Sequence, residues 1–557
     1  MIFSKKSFCL LILTFLACIA YRCAQVVPLT GGAKDAKPPE LVSVVPANQS
    51  INIPTSGTKI VFKFNEMIAA PTASQNLIIN PLTDEMPDIT ARGKTLTVEF
   101  TKELKQNTTY LLQFGNSVTD IHENNPFPNL TYIFSTGPSI DTSSISGQVI
   151  NALSQKPATD VNIMLYKNLS DTAPLRSKPD YMTKVNEKGN YFLSAVKPGT
   201  YQAIALSDKS KNLMYDAGEA IGFLDSAVSV NNDTVNFMMS VAKPENVFVK
   251  KKNQIFWGYH RFILNDTLPN VYMITSKSVD ADNISFETRN DTLEVYYKNL
   301  YNMNLELWLK KDKITFDTIN LTLPSKAKTD SSYDKGIKKI SFHTGKTTYG
   351  TKHDEVVLNF SIPVKSIDAE KCFLIRDSIK EKPVFTSEKK NEEKTLVTTY
   401  FPQYKKRLTN NLIAQKTYTL LFLPQSVETF WGTFNKDTIK TTFKTFPMDE
   451  IGNLQIKLTL TDSIRAYVLQ LLNANGTVVN ELTAVNKKET ILNFYNLSAG
   501  EYSLRLIEDT DENKKFTPSN FLKHTQAEPV WYYNKPLKIL AGWDIEAEWD
   551  MKNPQKK

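Results

Sequence analysis

The residues of this 557-residue chain best spaced for chemistry are oxygen donors. In Asp208-x-Ser210-x-Asn212-x-x-x-Asp216-x-x-Glu219, carboxylate, hydroxyl and amide oxygens fall at positions 1, 3, 5, 9 and 12 of a twelve-residue loop. That spacing wraps a hard, oxygen-seeking cation such as Ca2+. Two features depart from it. Position 6 is Leu213 where such loops use glycine, and no helix is expected on either side. A solvated acidic loop is the plain alternative. A second stretch carries Asp509, Asp511 and Asn513, but Thr517 and Asn520 take its last two places, so the closing glutamate is missing. Calcium is the one cofactor that the sequence offers.

Nucleophilic and acid–base chemistry find no matching constellation. The five histidines, His122, His260, His343, His353 and His524, are scattered and form no HExxH or His-x-His pattern. No GxSxG elbow, P-loop or dinucleotide fingerprint occurs. Carboxylates two apart, such as Asp544 and Glu546, suit the wet side of a strand better than a catalytic dyad. The chain is expected not to be an enzyme. Of the four cysteines, Cys9, Cys18 and Cys23 lie near the start; Cys372, in KCFLI, reads as a small core residue. One cysteine in the body excludes a disulfide framework there.

Cys23 suggests a different chemistry. Lys5 and Lys6 precede the apolar run FCLLILTFLACIA, and Tyr21-Arg22-Cys23 follows. A membrane-spanning helix needs ~20 apolar residues, and this run is shorter, so residues 1–22 read as an export signal. No later stretch is as long and apolar, and the mature chain is expected not to span a membrane. A cysteine just after such a run is the lipid acceptor of bacterial lipoproteins; an ordinary cleaved signal with incidental cysteines is the alternative. Cys18, after Leu16-Ala17, has the small preceding residue that the cleaving peptidase favours, and competes with Cys23. Residues 23–37, rich in glycine, proline and small polar residues, make a flexible tether.

The elements that must position these groups read as strands. Ile60, Phe62 and Phe64 share one face with Lys59, Lys63 and Asn65 opposite, and TLTVEF alternates likewise at Leu96, Val98 and Phe100. Near the end Trp543, Ile545, Ala547, Trp549 and Met551 face one way and Asp544, Glu546, Glu548 and Asp550 the other. Period-two alternation marks half-buried antiparallel strands, and many short strands with turn signals between them argue for sandwiches. The net charge of +8 is spread out, without the clustered basic face that nucleic acid requires.

The strands repeat as a pair of units. NTTYLLQFGNSVTDIHENNPFPNLTYIFSTG, from Asn107, aligns with QKTYTLLFLPQSVETFWGTFNKDTIKTTFKTF, from Gln415, matching Tyr110 to Tyr418, Val118 to Val427 and Phe134 to Phe443. GNYFLSAVKPGTYQAIALSDKSKN, from Gly189, aligns with ETILNFYNLSAGEYSLRLIEDTDEN, from Glu489. The chain is thus a two-unit tandem used twice, with an extra β-rich piece between. Duplication suits a spacer or binding scaffold better than a single active site.

The stretch PPELVSVVPANQSINIPTSGTKIVFKFNEMI, the TLTVEF strand, TTYLLQFGNSVTDIHENN and the closing TYIFSTG resemble the S-layer-type bacterial Ig-like domain. SISGQVINA and GNYFLSAVKPGTYQAIALSD look like a carboxypeptidase-regulatory or transthyretin-like sandwich, in which the glycine turn before Tyr201 gives a tight reversal and Tyr201 plugs the core. With CAQVVPLTGGAKD from Cys23 leading into the first domain, the order is similar to a group of Bacteroidota lipoproteins, which is why Cys23 is preferred over Cys18.

The expected fold is therefore all-β, with tandem Ig-like and transthyretin-like β-sandwiches behind a lipoprotein signal peptide. A bacterial Ig-like domain is expected over 38–138 and a carboxypeptidase-regulatory-like sandwich over 140–243. A β-rich, Ig-like domain at 244–334, a diverged second Ig-like domain at 335–447 and a second, transthyretin-like sandwich at 449–553 complete it. Nine Asp-Ser/Thr-apolar triplets place hydroxyls at Thr172, Ser226, Thr234, Thr267, Thr292, Thr318, Ser378, Thr438 and Ser463. The triplet resembles the O-glycosylation acceptor of exported Bacteroidota proteins; it also suits a turn entering a strand, where Asp bonds nearby N–H groups. The function so implied is a lipid-anchored envelope scaffold, spacer or protein-binding module at the outer membrane, contacting other envelope proteins. Ala24 and Gln25 after Cys23 lack acidic residues and favour the periplasmic face. The alternative is a carbohydrate- or host-surface-binding module in which Trp531-Tyr532-Tyr533 stacks a sugar.

Overall fold

Alternation in sequence becomes alternation in burial. The strand Lys59–Phe64 buries Ile60, Phe62 and Phe64 and turns its lysines to solvent, as a pleated strand with one face on a core must. The computed structural model describes residues 36–551, apart from 245–246, 267–271, 276–278, 281–282, 290, 312–313, 330, 332–339, 345, 347, 351–354, 388–404, 448, 462–464 and 486–487. Cys18, Cys23, the signal, nearly all of the tether, Thr267 and Ser463 lie outside the described residues. The regular elements of the described residues are nearly all strands, interrupted by single-turn helices such as Ala73–Asn76 and Ala173–Arg176. No helix among them is long and apolar enough to cross a membrane.

The strands enclose five successive cores. In the first unit, the sheet Leu41–Val45, Lys59–Phe64, Thr95–Glu99, Asp88–Arg92 faces the sheet Ile78–Asn80, Thr109–Gly115, Leu130–Ser135. Between them Phe62 meets Phe114 and Tyr132 edge-on, and Tyr110 stacks on Phe134 at 5.3 Å. The fourth unit repeats this arrangement with Val356–Phe360, Cys372–Arg376, Lys405–Leu408, Thr417–Phe422 and Ile439–Thr445, and Tyr418 stacks on Phe443 at 5.4 Å. Both tyrosines also cap a backbone amide: Tyr110 accepts from Lys105 at 2.8 Å and Tyr418 from Ile413 at 2.7 Å. A buried phenol oxygen needs such a partner, which is why the matched position keeps tyrosine and not phenylalanine in both units.

The second and fifth units are likewise copies. In the second, Ser143–Asn151 pairs antiparallel with Asn190–Val196 and parallel with Phe237–Val241. In the fifth, Ile451–Thr459 pairs antiparallel with Glu489–Ser498 and parallel with Asp544–Asp550. The other layer runs Tyr181–Lys184, Asn162–Tyr166, Gly199–Leu206, Ala220–Phe223 in one and Val478–Val485, Ala466–Asn473, Gly500–Asp509, Val530–Tyr532 in the other. Tyr201 donates to the Lys197 carbonyl at 2.7 Å and Tyr502 to the Ser498 carbonyl at 2.9 Å, each plugging its hairpin. Gly199 has no left-handed φ, so the turn before Tyr201 does not take the glycine-requiring backbone shape expected of it, and a Cβ there would meet the Tyr201 ring in ordinary contact. The third unit, with Val249–Phe256, Tyr259–Leu264, Thr292–Tyr297, Met303–Lys311 and Ile314–Leu323 among its strands, has its own core around Phe262, Leu293 and Leu307.

Two seams join units, the first of them between units far apart in the chain. Phe521, from the fifth unit, inserts between Tyr215 and Phe223 of the second, at ring distances of 5.5 and 5.3 Å. Ser240 and Ser519 meet at 2.7 Å, the Ser519 amide donates to the Ser240 hydroxyl, and Gln526 donates to the Phe223 carbonyl and to Asp225. Between the third and fourth units, Phe430 and Trp431 pack against Phe256, Tyr259 and Tyr296, and the Trp431 indole donates to the Tyr297 carbonyl at 3.0 Å.

Candidate functional site: twin carboxylate loops

Strand Gly199–Leu206 ends at Ser207, and the chain must turn back to Ala220–Phe223. The predicted oxygen-donor loop makes this turn. Asp208 accepts from the amides of Asn212 at 3.2 Å and Leu213 at 2.9 Å and from the Ser210 hydroxyl at 3.2 Å. Glu219, almost fully buried, accepts from the amides of Lys209, Ser210 and Asp216. The Asn212 side chain bridges to Asp216 at 2.9 Å. Lys211 and Leu213 adopt left-handed φ of 59° and 60°, so position 6 takes the backbone shape for which such loops favour glycine, without having one. Hydrogen bonds link the five sequence-predicted positions through this turn, but the carboxylates of Asp208, Asp216 and Glu219 do not converge on one point, and the oxygens of Asp208 and Glu219 accept the loop's own N–H groups.

The fifth unit rebuilds the same loop, and here the sequence reading needs correction. Asp509 accepts from Asn513 and Lys514, and Asp511 from the side chains of Asn513 and Thr517. Glu512 and Lys514 repeat the left-handed pair at 55° and 61°. The glutamate said to be missing is Glu528. It accepts from the Thr510 amide at 2.7 Å and the Thr517 amide at 2.7 Å, one and eight residues past Asp509, just as Glu219 accepts from Lys209 and Asp216. Asn520, which the spacing put in that place, pairs instead with Thr525 in an inserted turn. This insert delays the glutamate by eight residues, and its tip supplies the Phe521 of the seam.

Asp509, Asp511 and Glu528 each offer an oxygen within 4.8 Å of the others, the one such trio among the described residues. Burial pushes the Glu528 carboxyl above the usual carboxylate range, against the pull of its hydrogen bonds from Thr517 and Thr510. Burial raises Asp509 as well, helped by the neighbouring Asp511 charge. An all-carboxylate trio is the donor chemistry of a hard cation, but its lone pairs are already engaged by seven backbone or side-chain donors.

Other sequence candidates fall into structural roles. Cys372 is buried, its thiol pushed up to about 12 by burial, and it contacts the Asp368 carbonyl at 3.2 Å. His260 lies between Phe262 and Tyr297, and burial lowers it to about 4, so it is neutral near pH 7. Trp531 and Tyr533 pack on the fifth core, Tyr533 against Trp549, while Tyr532 receives Arg505 and donates to the Leu153 carbonyl of the second unit. All three are half-buried. Trp543, expected on the inner face beside Ile545, is 62% exposed, because it precedes the strand Asp544–Asp550 in the turn at Gly542. Of the hydroxyl candidates, Thr172, Ser226, Thr234, Ser378 and Thr438 are exposed, and Thr292 and Thr318 are half-buried. Several partner aspartates hold structure: Asp317 accepts from the amides of Val249 and Thr318, and Asp225 from Gln526.

Residues 35–136 match the bacterial Ig-like domain family. This covers the first of the five units, and the fourth shares its strand order. No curated protein matches the sequence. Among solved structures, the chain is similar to the Bacillus anthracis TIE protein at 9% identity, covering 93% of this chain and 76% of that one with a TM-score of 0.15. Domains 1-6 of the surface layer protein SbsC align at 12% identity over 85% of this chain and 64% of that one, TM-score 0.14. A D312A form of BcpA, the major pilin subunit of Bacillus cereus, aligns at 10% identity over 74% of this chain and 99% of that one, TM-score 0.13.

Proposed function

We propose that this chain is a non-enzymatic, lipid-anchored module of the bacterial cell envelope, a spacer or scaffold for other envelope proteins. The observation that carries this reading is how the duplicated units are used. The strongest polar clusters, around Glu219, Glu528 and Glu294, are closed by the chain's own donors. The insert that distinguishes one copy from the other is committed to the seam between them. A body braced against itself at Phe521 and Trp431 holds its ends at a fixed separation, which is what a spacer needs. Cys23 is the anchor at the outer membrane, with the periplasmic face favoured by Ala24 and Gln25. Thr172, Ser226, Thr234, Ser378 and Thr438 are accessible enough to carry glycans.

Fractionation of cells making the full chain tests the anchor. Cys23→Ala is expected to move the protein from the membrane to the soluble envelope fraction, and intact mass of the wild type should exceed the processed polypeptide by a lipid group plus glycan units. Membrane retention of Cys23→Ala together with release of Cys18→Ala would move the lipid to Cys18. A mass equal to the bare polypeptide would remove lipid and glycans together.

A further inference from the structure

The first and fourth units share a sheet whose outer face has two different fates. In the first unit it is covered by the second unit. Asn80 takes the Met182 amide and carbonyl, at 2.7 and 2.8 Å, Leu111 is buried in the second unit's core, and Ile133 packs against that core. Strand register puts Ile375, Thr419 and Thr442 at these three places in the fourth unit. The amide that holds a strand edge and the apolar anchor beside it are both gone. The face is open, with Thr442 exposed and Ile375 and Thr419 half-buried.

Lysines come in instead. Lys440 and Lys444 stand where the first unit has Thr131 and Ser135. Lys380, opposite Ile375 in its hairpin, and Lys382 hold the other flank, their ammonium groups 5.7 and 4.7 Å from the Phe373 ring centre. Phe373, Ile375 and Leu421, all half-buried, fill the middle. From strand and residue spacings, the backbones of Lys380, Lys440 and Lys444 mark a triangle roughly 14–16 Å on a side. Two acids border the face and each is already paired, Glu370 with Lys382 at 3.2 Å and Asp377 with Lys416 at 2.6 Å. Lys380, Lys440 and Lys444 have no acidic partner among the described residues. Ser378 and Thr438, where glycans are proposed, sit outside its strands at the borders.

We propose that this face of the fourth unit lies against an anionic bilayer surface. Lysines supply charge without fixing a register, which suits a plane of headgroups better than the strand edge that Asn80 holds in the first unit. The half-buried apolar centre fits the boundary between headgroups and acyl chains. The inference rests on the anchored reading, which sets the chain beside a bilayer, and an acyl chain joined by a basic patch makes a two-signal attachment. It adds which side of the braced body is turned to the lipid.

Co-sedimentation with vesicles tests the face on residues 24–557, the mature chain without an acyl group, so the outcome does not depend on Cys18 or Cys23. Binding is expected to vesicles of phosphatidylcholine and phosphatidylglycerol at about 7:3, weakening as salt is raised, and not to pure phosphatidylcholine. Each lysine near an anionic surface adds about fivefold in partitioning, so Lys440→Gln with Lys444→Gln should weaken binding about 25-fold. Lys178→Gln with Lys188→Gln removes the same charge from the second unit and should change binding by less than about twofold. All four lysines are exposed, so neither pair disturbs a core. No binding to the anionic vesicles, as when an acidic protein is the occupant, overturns the proposal. Equal weakening by both pairs also overturns it, because the attraction then comes from net charge alone. The anchor itself is read separately, by the fractionation of Cys23→Ala.

Discussion

At the scale of residues, the twin loops show how a cation-binding spacing and a self-contained turn share one set of side chains. A buried carboxylate that accepts several N–H groups organises the backbone around it, and losing one acceptor leaves a buried donor unmet at about 1–3 kcal/mol. Glu528→Gln puts an amide NH2 against a backbone N–H at one end of that network, and the same change at Glu219 does so in the first loop. Each is expected to destabilise its own unit by about 1–3 kcal/mol, read as earlier local hydrogen exchange, while exposed Asp511→Asn does much less. The pH response should split between units. Burial works to raise Asp120 in the first unit, but the amides of Glu123, Asn125 and Asn124 and the Asn125 side chain overturn it, leaving its carboxyl below the ordinary value. A carboxyl depressed in the folded state contributes stability above its unfolded pKa, and that contribution is lost as pH falls through the folded value. Glu528 and Asp509 are raised, so their effect is most favourable below the ordinary carboxylate range and fades as pH rises toward the folded values. Acidification from pH 7 to about pH 2, followed by hydrogen exchange, is therefore expected to loosen the turn around Asp120 before the Asp509 loop. The reverse order would contradict these assignments.

Among the elements, hairpins and core strands were legible in sequence because period two and the paired tyrosines are local signals. The matches of Tyr110 to Tyr418 and Phe134 to Phe443 correspond to equivalent stacks in the structure. What sequence spacing could not carry was an insertion inside a motif. Glu528 was passed over because eight intervening residues broke the count, though an acid just before the strand Val530–Tyr532, as Glu219 is just before Ala220–Phe223, was the available signal. The tight reversal expected at Gly199 was misread as well: residue type alone does not fix φ, and here the backbone is not left-handed. The plugging tyrosines give an element-scale expectation. Tyr201 is 1% exposed and Tyr502 is half-buried. Tyr201→Phe strands the Lys197 carbonyl and should cost about 1 kcal/mol in chemical denaturation, while Tyr502→Phe, whose carbonyl partner reaches water, should cost a few tenths.

At the scale of the molecule, the order of units in space is not their order in the chain. The second unit contacts the fifth through Phe521, and the third contacts the fourth through Trp431, so the chain returns on itself after the third unit. No local pattern announces such a return; it depends on complementarity between surfaces far apart in sequence. Phe521 is buried against residues about 300 positions earlier, and its neighbours Ser519 and Gln526 supply bonds that fix the angle of approach. Burying a phenylalanine side chain contributes about 1.5–3 kcal/mol, and an interface of this kind depends on a few such anchors. Phe521→Asp removes the anchor and sets an unpaired charge against Tyr215 and Phe223. Its side chain belongs to the seam and not to the fifth unit's own core, so the fifth unit should keep its fold. Small-angle scattering of the full chain is therefore expected to show a larger radius of gyration for Phe521→Asp, with an unchanged far-ultraviolet spectrum. Phe521→Leu, which keeps an apolar plug, should lie close to wild type. An unchanged radius in Phe521→Asp would mean that the remaining seam contacts, with the Tyr532 bond to Leu153, hold the two sandwiches together without it. The spacer reading would then rest on a broader interface than one side chain.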